Sequence, residues 1–289
     1  MVNIDKRQAR NSFSKAASSY DEVAVLQREM GQRLLDRLEL MLVEPKVILD
    51  VGCGTGVATM ELAKRYRKAQ VVALDFAIPM LRETRKRGSW LRRPRCLCGD
   101  LEQLPLADNS VDLIYSNAAI QWSNDLDHTF SEFMRVLRPG GVLAFTNFGP
   151  DTLKELRMAW ADVDGGSHVG QFVDMHDMGD ALLNSSFVEP VLDVDRMSLT
   201  YDRVDGLMRD LKTLGANNVN QDRSRGLTGR KRMAAMREAY EQFRRDGKLP
   251  ASYEVIYGHA WVPDNKQTQQ QRTEDGTTRV SINSIKGMG

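Results

Sequence analysis

The run Val47-Ile48-Leu49-Asp50-Val51-Gly52-Cys53-Gly54-Thr55-Gly56 sets glycines at alternate positions directly after a short apolar stretch. A backbone without side chains lets a ligand approach closely there, and Asp50 at the end of the stretch can accept from a cationic amine. Asp75 closes the next apolar run, 19 residues after Gly56, where a carboxylate can accept both hydroxyls of a ribose. Asp100 and Leu101 follow a third run, suited to take an adenine amino group and to pack on its ring. The third glycine of a dinucleotide fingerprint would stand at position 57, which is Val57, so that reading loses its support. Asp50, Gly52, Cys53, Gly54, Gly56, Asp75, Asp100, Leu101 and Asn117, at the end of a fourth run, form the expected cofactor-binding set.

Such residues act together only if one sheet edge carries them. Residues 47–51 read as a strand buried on both faces, and the chain then alternates: helix 57–67, strand 70–75, helix 78–88, a weak strand near Cys96, strand 111–116, helix 126–137, strand 142–147. Alternation of this kind predicts an α/β fold of Rossmann-like type, a mostly parallel seven-stranded sheet with helices on both faces. Ahead of it, Leu26, Met30, Leu34, Leu38 and Leu42 at four-residue spacing, with Ile4, Phe13 and Ala16 before them, predict two N-terminal helices ended by Pro45. Beyond Phe148, helices at 151–163 and 175–184 and strands at 191–201 and 253–261 complete the sheet. The basic stretch 203–250 between the strands reads as a helical lid insertion over the sheet's carboxyl edge. A single domain is expected over 1–262, comprising helices (1–44), cofactor-binding core (45–149), sheet completion (150–202 and 253–262) and lid (203–250). Residues 263–289 are polar and read as a disordered tail.

With 40 Lys plus Arg against 39 Asp plus Glu and 42% hydrophobic residues, the 289-residue chain can bury a core and has no global basic field for nucleic acid. Cys53, Cys96 and Cys98 form neither a disulfide framework nor a zinc arrangement, and no stretch is long and apolar enough to span a bilayer. A soluble cytoplasmic protein without metal, membrane or nucleic-acid partners is therefore expected.

Glycines in the pattern G-x-G-x-G after an acidic strand end resemble those of S-adenosylmethionine-dependent methyltransferases, whose cofactor has no pyrophosphate to cradle. The segment after the fourth strand lacks the N-P-P-Y or D-P-P-Y of enzymes that methylate nucleobase amines and reads Ser116-Asn117-Ala118-Ala119-Ile120-Gln121-Trp122. The chain resembles one carboxyl methyltransferase family over residues 5–262, on Phe13-Ser14-Lys15-Ala16-Ala17 with Tyr20, the glycine loop, Asp100-Leu101-Glu102-Gln103-Leu104-Pro105-Leu106, Gln121-Trp122, Phe148-Gly149-Pro150-Asp151-Thr152-Leu153, Leu211-Lys212 with Gly215-Ala216, and Tyr257-Gly258-His259-Ala260-Trp261. That family is the malonyl-[acyl-carrier protein] O-methyltransferases (BioC) of biotin synthesis.

The resemblance implies a class I methyltransferase that uses S-adenosylmethionine to esterify the free carboxylate of a malonyl thioester on acyl carrier protein or coenzyme A. Tyr20, Gln121, Trp122 and Lys212 are the implied substrate-orienting groups, with Lys212 countering the malonyl charge. No general base is needed, because the carboxylate is already ionised at neutral pH. An acidic carrier protein would dock on basic residues, either 82–95, with seven basic residues and one acid, or 203–248, with twelve basic and six acidic. Asp151 to Arg157 and Pro250 to Tyr253 also resemble a BioC-like assembly factor that hydroxylates protein arginine, which typically has His where this chain has Gln121. Trans-aconitate methyltransferase, another carboxyl methyltransferase, is a more distant resemblance.

Overall fold

The computed structural model describes residues 4–88, 93–164, 166, 168–216, 229–264, 271–272 and 278–279. In chain order the elements are helices α1 (Lys6–Ala16), α2 (Tyr20–Val23) and α3 (Val25–Glu39), strand β1 (Val47–Val51), α4 (Val57–Arg65), β2 (Gln70–Asp75), α5 (Ile78–Arg87), β3 (Arg95–Cys98), β4 (Val111–Asn117), α6 (Leu126–Val136), β5 (Leu137–Phe148), α7 (Lys154–Ala161), α8 (Met175–Asn184), β6 (Val188–Tyr201), α9 (Val204–Thr213), α10 (Arg230–Tyr240) and β7 (Leu249–Trp261). A two-stranded ladder, β8 (Gln271–Arg272) with β9 (Thr278–Arg279), follows. The other residues of the expected 263–289 tail, apart from Pro263 and Asp264, lie outside the described residues.

The seven strands stand in the order β3-β2-β1-β4-β5-β7-β6, parallel except where β7 runs antiparallel to both β5 and β6. Chain order reverses at β1 and β4, so the connections leaving these neighbours diverge and open a crevice at their carboxyl ends, the usual ligand position in open α/β sheets. A core lies on each face. Leu34, Leu38, Leu62, Tyr115 and Trp160 pack one side, and Phe130, Phe133, Leu143, Phe145 and Leu182 the other.

Several element boundaries differ from the sequence reading. Three helices precede β1 rather than two, because Ala24 leaves helical geometry at ψ 41° and separates α2 from α3. β5 begins at Leu137, since its ladder with β4 continues across a register shift in which Gly140 takes φ +70°. β7 begins at Leu249, so the helical insertion ends earlier, after a 3₁₀ turn at Glu241–Phe243. Residues 217–228, including Arg223 and Arg225 of the expected basic cluster, lie outside the described residues.

Candidate active site

Two adjoining hollows form a trough at the carboxyl ends of β1, β2 and β4. Tyr20, Gly52, Gly54 and Asn117 border both; Asp75, Asp100, Leu101 and Trp122 line one, and Asp50, Cys53 and Gln27 the other. The glycine loop is shaped by backbone bonds: Gly52 and Cys53 donate to the Leu74 carbonyl at 2.8 and 2.9 Å, and Gly54 donates to Asp75 Oδ2 at 3.0 Å. Asp75 Oδ1 accepts from the Ala77 amide at 2.8 Å, so each oxygen is oriented and keeps a lone pair for a ligand.

The trough suits an adenosine carrying an ammonium group. Asp50 is 1% exposed and Asp75 5%, and among the described residues neither carboxylate has a basic side chain paired with it. Burial pushes the Asp50 carboxyl up to about 7, against a hydrogen bond donated by Thr59, and the Asp75 carboxyl up to about 6. Hydroxyl and ammonium donors would relieve both. A Cβ on Gly54, at φ +54°, would meet no atom within 4 Å, so the missing side chain leaves ligand space.

The remaining expected cofactor residues are placed unequally. Gly56 borders neither hollow; it caps α4 at φ +85° with Thr84 where a Cβ would go. The Cys53 side chain packs with Ala73, Leu81 and Cys96 behind the loop. Asn117 donates to the Gln27 carbonyl at 2.8 Å and accepts from Thr146 at 2.7 Å, so its amide works as a brace. Asp100 Oδ1 takes Lys6 Nζ at 2.7 Å, and Lys6 also reaches Glu102 at 2.6 Å, which leaves Oδ2 of Asp100 without a partner among the described residues.

The N-terminal helices roof the trough. Thr55 donates to Asp21 at 2.7 Å and Arg87 pairs with the same carboxylate, fastening α2 to the loop and to α5. Tyr20, a candidate to close over the methionine carboxylate or the substrate, borders both hollows of the trough, its hydroxyl held protonated by burial and by the charges of Asp75 and Asp21.

Next to the trough lies a cavity of about 350 Å³ whose walls are mainly apolar, among them Phe148, Leu156, Trp160, Phe172 and Tyr253. Trp122 borders both spaces, with Phe13 edge-on at 5.0 Å between ring centroids. Gln121 lines the cavity, and its buried Oε1 has no partner among the described residues. Lys212, exposed at the rim on α9, has no carboxylate paired with it among the described residues. The structure thus brings Gln121, Trp122 and Lys212 to one cavity and Tyr20 to the other side of Trp122. His168 also lines it, stacked on Trp160 at 3.8 Å and bonded to Asp164 at 2.7 Å. Lys6, Gln27 and His168 escaped the sequence reading, since each is an isolated polar residue without spacing that marks it.

A glycine loop between β1 and α4, acidic residues at successive strand ends and this strand order define a class I S-adenosylmethionine-dependent methyltransferase. Residues 49–145 match the family described as a methyltransferase domain. The malonyl-[acyl-carrier protein] O-methyltransferase of a Methylovorus species is 52% identical over 266 residues, covering 90% of both chains. That of Halorhodospira halophila is 49% identical over 286 residues, covering 98% of this chain and 96% of its own. The solved YcgJ protein of Bacillus subtilis shares the fold at TM-score 0.56 and 15% identity, covering 80% of this chain and 98% of its own. The chain belongs to the malonyl-[acyl-carrier protein] O-methyltransferase family. S-adenosylmethionine is its cofactor. Among the described residues no His, Cys, Asp and Glu cluster could hold a metal ion, and no helix is long and apolar enough to cross a membrane.

Proposed function

We propose that this enzyme methylates the free carboxylate of a malonyl thioester, with the acyl group held in the cavity beyond Trp122 and the cofactor in the trough. The observation that carries the reading is the meeting of the two spaces at Trp122, in a chain about half identical to relatives named for this reaction. When bound, S-adenosylmethionine supplies an electrophilic methyl: a carbon–oxygen bond forms as the carbon–sulfur bond breaks, its electron pair stays on sulfur, and no proton moves. Trp122 and Gln121 set the carboxylate's approach, and the apolar walls exclude water, so rate comes from alignment of two pre-formed charges. Lys212 at the rim attracts the anionic acyl group without enclosing it. Asp50, Gly52, Gly54, Asp75, Asp100 and Leu101 hold the cofactor; Cys53, Gly56 and Asn117 hold the loop and strand end that shape its site.

The test is mass spectrometry of malonyl-acyl carrier protein after incubation with enzyme and S-adenosylmethionine, with the acetyl form as control. We expect the malonyl species alone to gain one methylene, removable by an esterase. Methylation of neither species, with the cofactor demonstrably bound, would reject the reading. The assembly-factor and trans-aconitate alternatives draw no support from the relatives described above.

The carrier protein's docking face is assigned to the lid rather than to α5. Met208, Leu211 and Lys212 of α9 wall the acyl cavity, whereas α5 borders only the trough through Met80, and Arg87 of α5 is committed to Asp21. Arg209, Arg230 and Lys231 are exposed on α9 and α10, with no carboxylate paired to them among the described residues. Arg209→Glu combined with Lys231→Glu is expected to raise KM for malonyl-acyl carrier protein by about 10-fold at low salt, and to leave malonyl-coenzyme A within about two-fold. Equal losses with both substrates would remove the docking assignment.

A further inference from the structure

Two glutamines that line the acyl cavity, Gln121 and Gln27, each have a buried side-chain Oε1 without a hydrogen-bond partner among the described residues. Gln121 stands in a recognisable pair with Trp122. Gln27, on α3, belongs to no motif and borders both the cavity and the Asp50 side of the trough.

The backbone delivers Gln27 to this place. The Tyr115 hydroxyl donates to the Gly31 carbonyl at 3.0 Å and Asn117 Nδ2 donates to the Gln27 carbonyl at 2.8 Å, pinning one turn of α3 to the end of β4. A Cβ on Gly31 would lie 3.0 Å from that amide nitrogen, so glycine permits the approach. A polar side chain held there with an unmet hydrogen-bonding atom calls for a polar ligand group.

We propose that Gln27 contacts the substrate: its side-chain amide, together with that of Gln121, donates N–H bonds to the malonyl carboxylate and holds it towards the methyl donor. This rests on the malonyl-thioester reading above. An amide's oxygen and nitrogen exchange places by rotation about its last bond, so the unpartnered end becomes a donor when it turns. Neutral donors suit the chemistry. The carboxylate loses charge as it attacks, so a buried guanidinium would stabilise it more before the transition state than in it, and slow the step. Amides orient the oxygen with a smaller penalty, while the cation, Lys212, stays at the rim.

The experiment compares wild type, Gln27→Leu and Gln27→Glu in steady-state methyl transfer to malonyl-acyl carrier protein, alongside calorimetric affinity for S-adenosylhomocysteine. KM should rise about 10-fold in the leucine variant, the loss of one hydrogen bond to a charged group, and further in the glutamate variant, whose carboxylate repels the substrate's. S-adenosylhomocysteine affinity should stay within about two-fold of wild type in the leucine variant. If that variant does not fold, the near-isosteric glutamate variant carries the KM measurement. Unchanged KM overturns the proposal, and so does cofactor affinity falling in step with KM in the leucine variant, which would make Gln27 a cofactor residue. Absence of transfer by the wild type would overturn the malonyl reading itself and this proposal with it.

Discussion

Asp50→Asn is expected to weaken S-adenosylhomocysteine binding by about 10²- to 10³-fold and, at the same time, to stabilise the ligand-free protein at pH 8. The first effect follows from pairing. Asp50 is 1% exposed and borders the trough, and losing one partner of a buried ion pair costs about 3–5 kcal/mol. The second follows from linkage. Burial raises the folded-state pKa to about 7, while the unfolded carboxyl titrates near ~3.9, so over that window the unfolded chain releases its proton first. Stability contributed by protonated Asp50 is therefore complete below about pH 4 and is lost as pH rises through about 7. Asparagine keeps the shape and cannot ionise, so the variant's melting temperature should fall less between pH 5 and pH 8. Asp75, raised to about 6, keeps part of the slope in the variant. Calorimetry at pH 8 and melting curves across that range check both effects. Undiminished affinity, or an identical pH slope in variant and wild type, would refute the assignment of Asp50 to the cofactor's ammonium.

Gly52→Ala and Gly54→Ala should separate folding from binding within one loop. Gly52 has φ +72° and its Cβ would lie 2.2 Å from the Ala119 side chain, between the β1–α4 loop and the segment after β4. Left-handed backbone and overpacking together should cost about 2–5 kcal/mol in urea denaturation. At Gly54, φ +54°, nothing lies within 4 Å of the added carbon, so the stability cost should be about 1–2 kcal/mol, from conformation alone. That carbon would enter the cofactor space, and S-adenosylhomocysteine affinity should drop more than stability does. Equal destabilisation of the two variants, with equal affinity, would contradict this division.

The sheet and its cofactor loop were legible because their signals are local. A buried parallel strand must be continuously apolar, as residues 47–51 are, and a chain turning into a helix beside a ligand must shed its side chains, as at 52, 54 and 56. The carboxylates at 75 and 100 could be located from the same strand rhythm, and Gln121-Trp122 from their place after the fourth strand. Their partners could not. Lys6 meets Asp100 across 94 residues, and Thr55 meets Asp21 across 34, contacts that no sequence window contains. The division of labour among the expected residues was equally hidden: Gly56 faces Thr84, Asn117 braces α3, and Tyr20 borders the glycine-loop trough rather than the apolar cavity.

The amino-acid sequence alone determined the α/β frame, the glycine loop and the acidic strand ends, since each depends on residue type and spacing along the chain, and its motifs resembled those of one methyltransferase family. Tertiary structure decided the cavity proposed for the acyl group: about 350 Å³, assembled from helices α7 and α9, the chain before α8, and strand β7, with Trp122 at its boundary and Gln27 brought in on α3 by the absence of a side chain at Gly31. Such a cavity is the space left between elements distant in sequence. Its shape follows from how closely their backbones pack, a quantity that no stretch of residues encodes by itself.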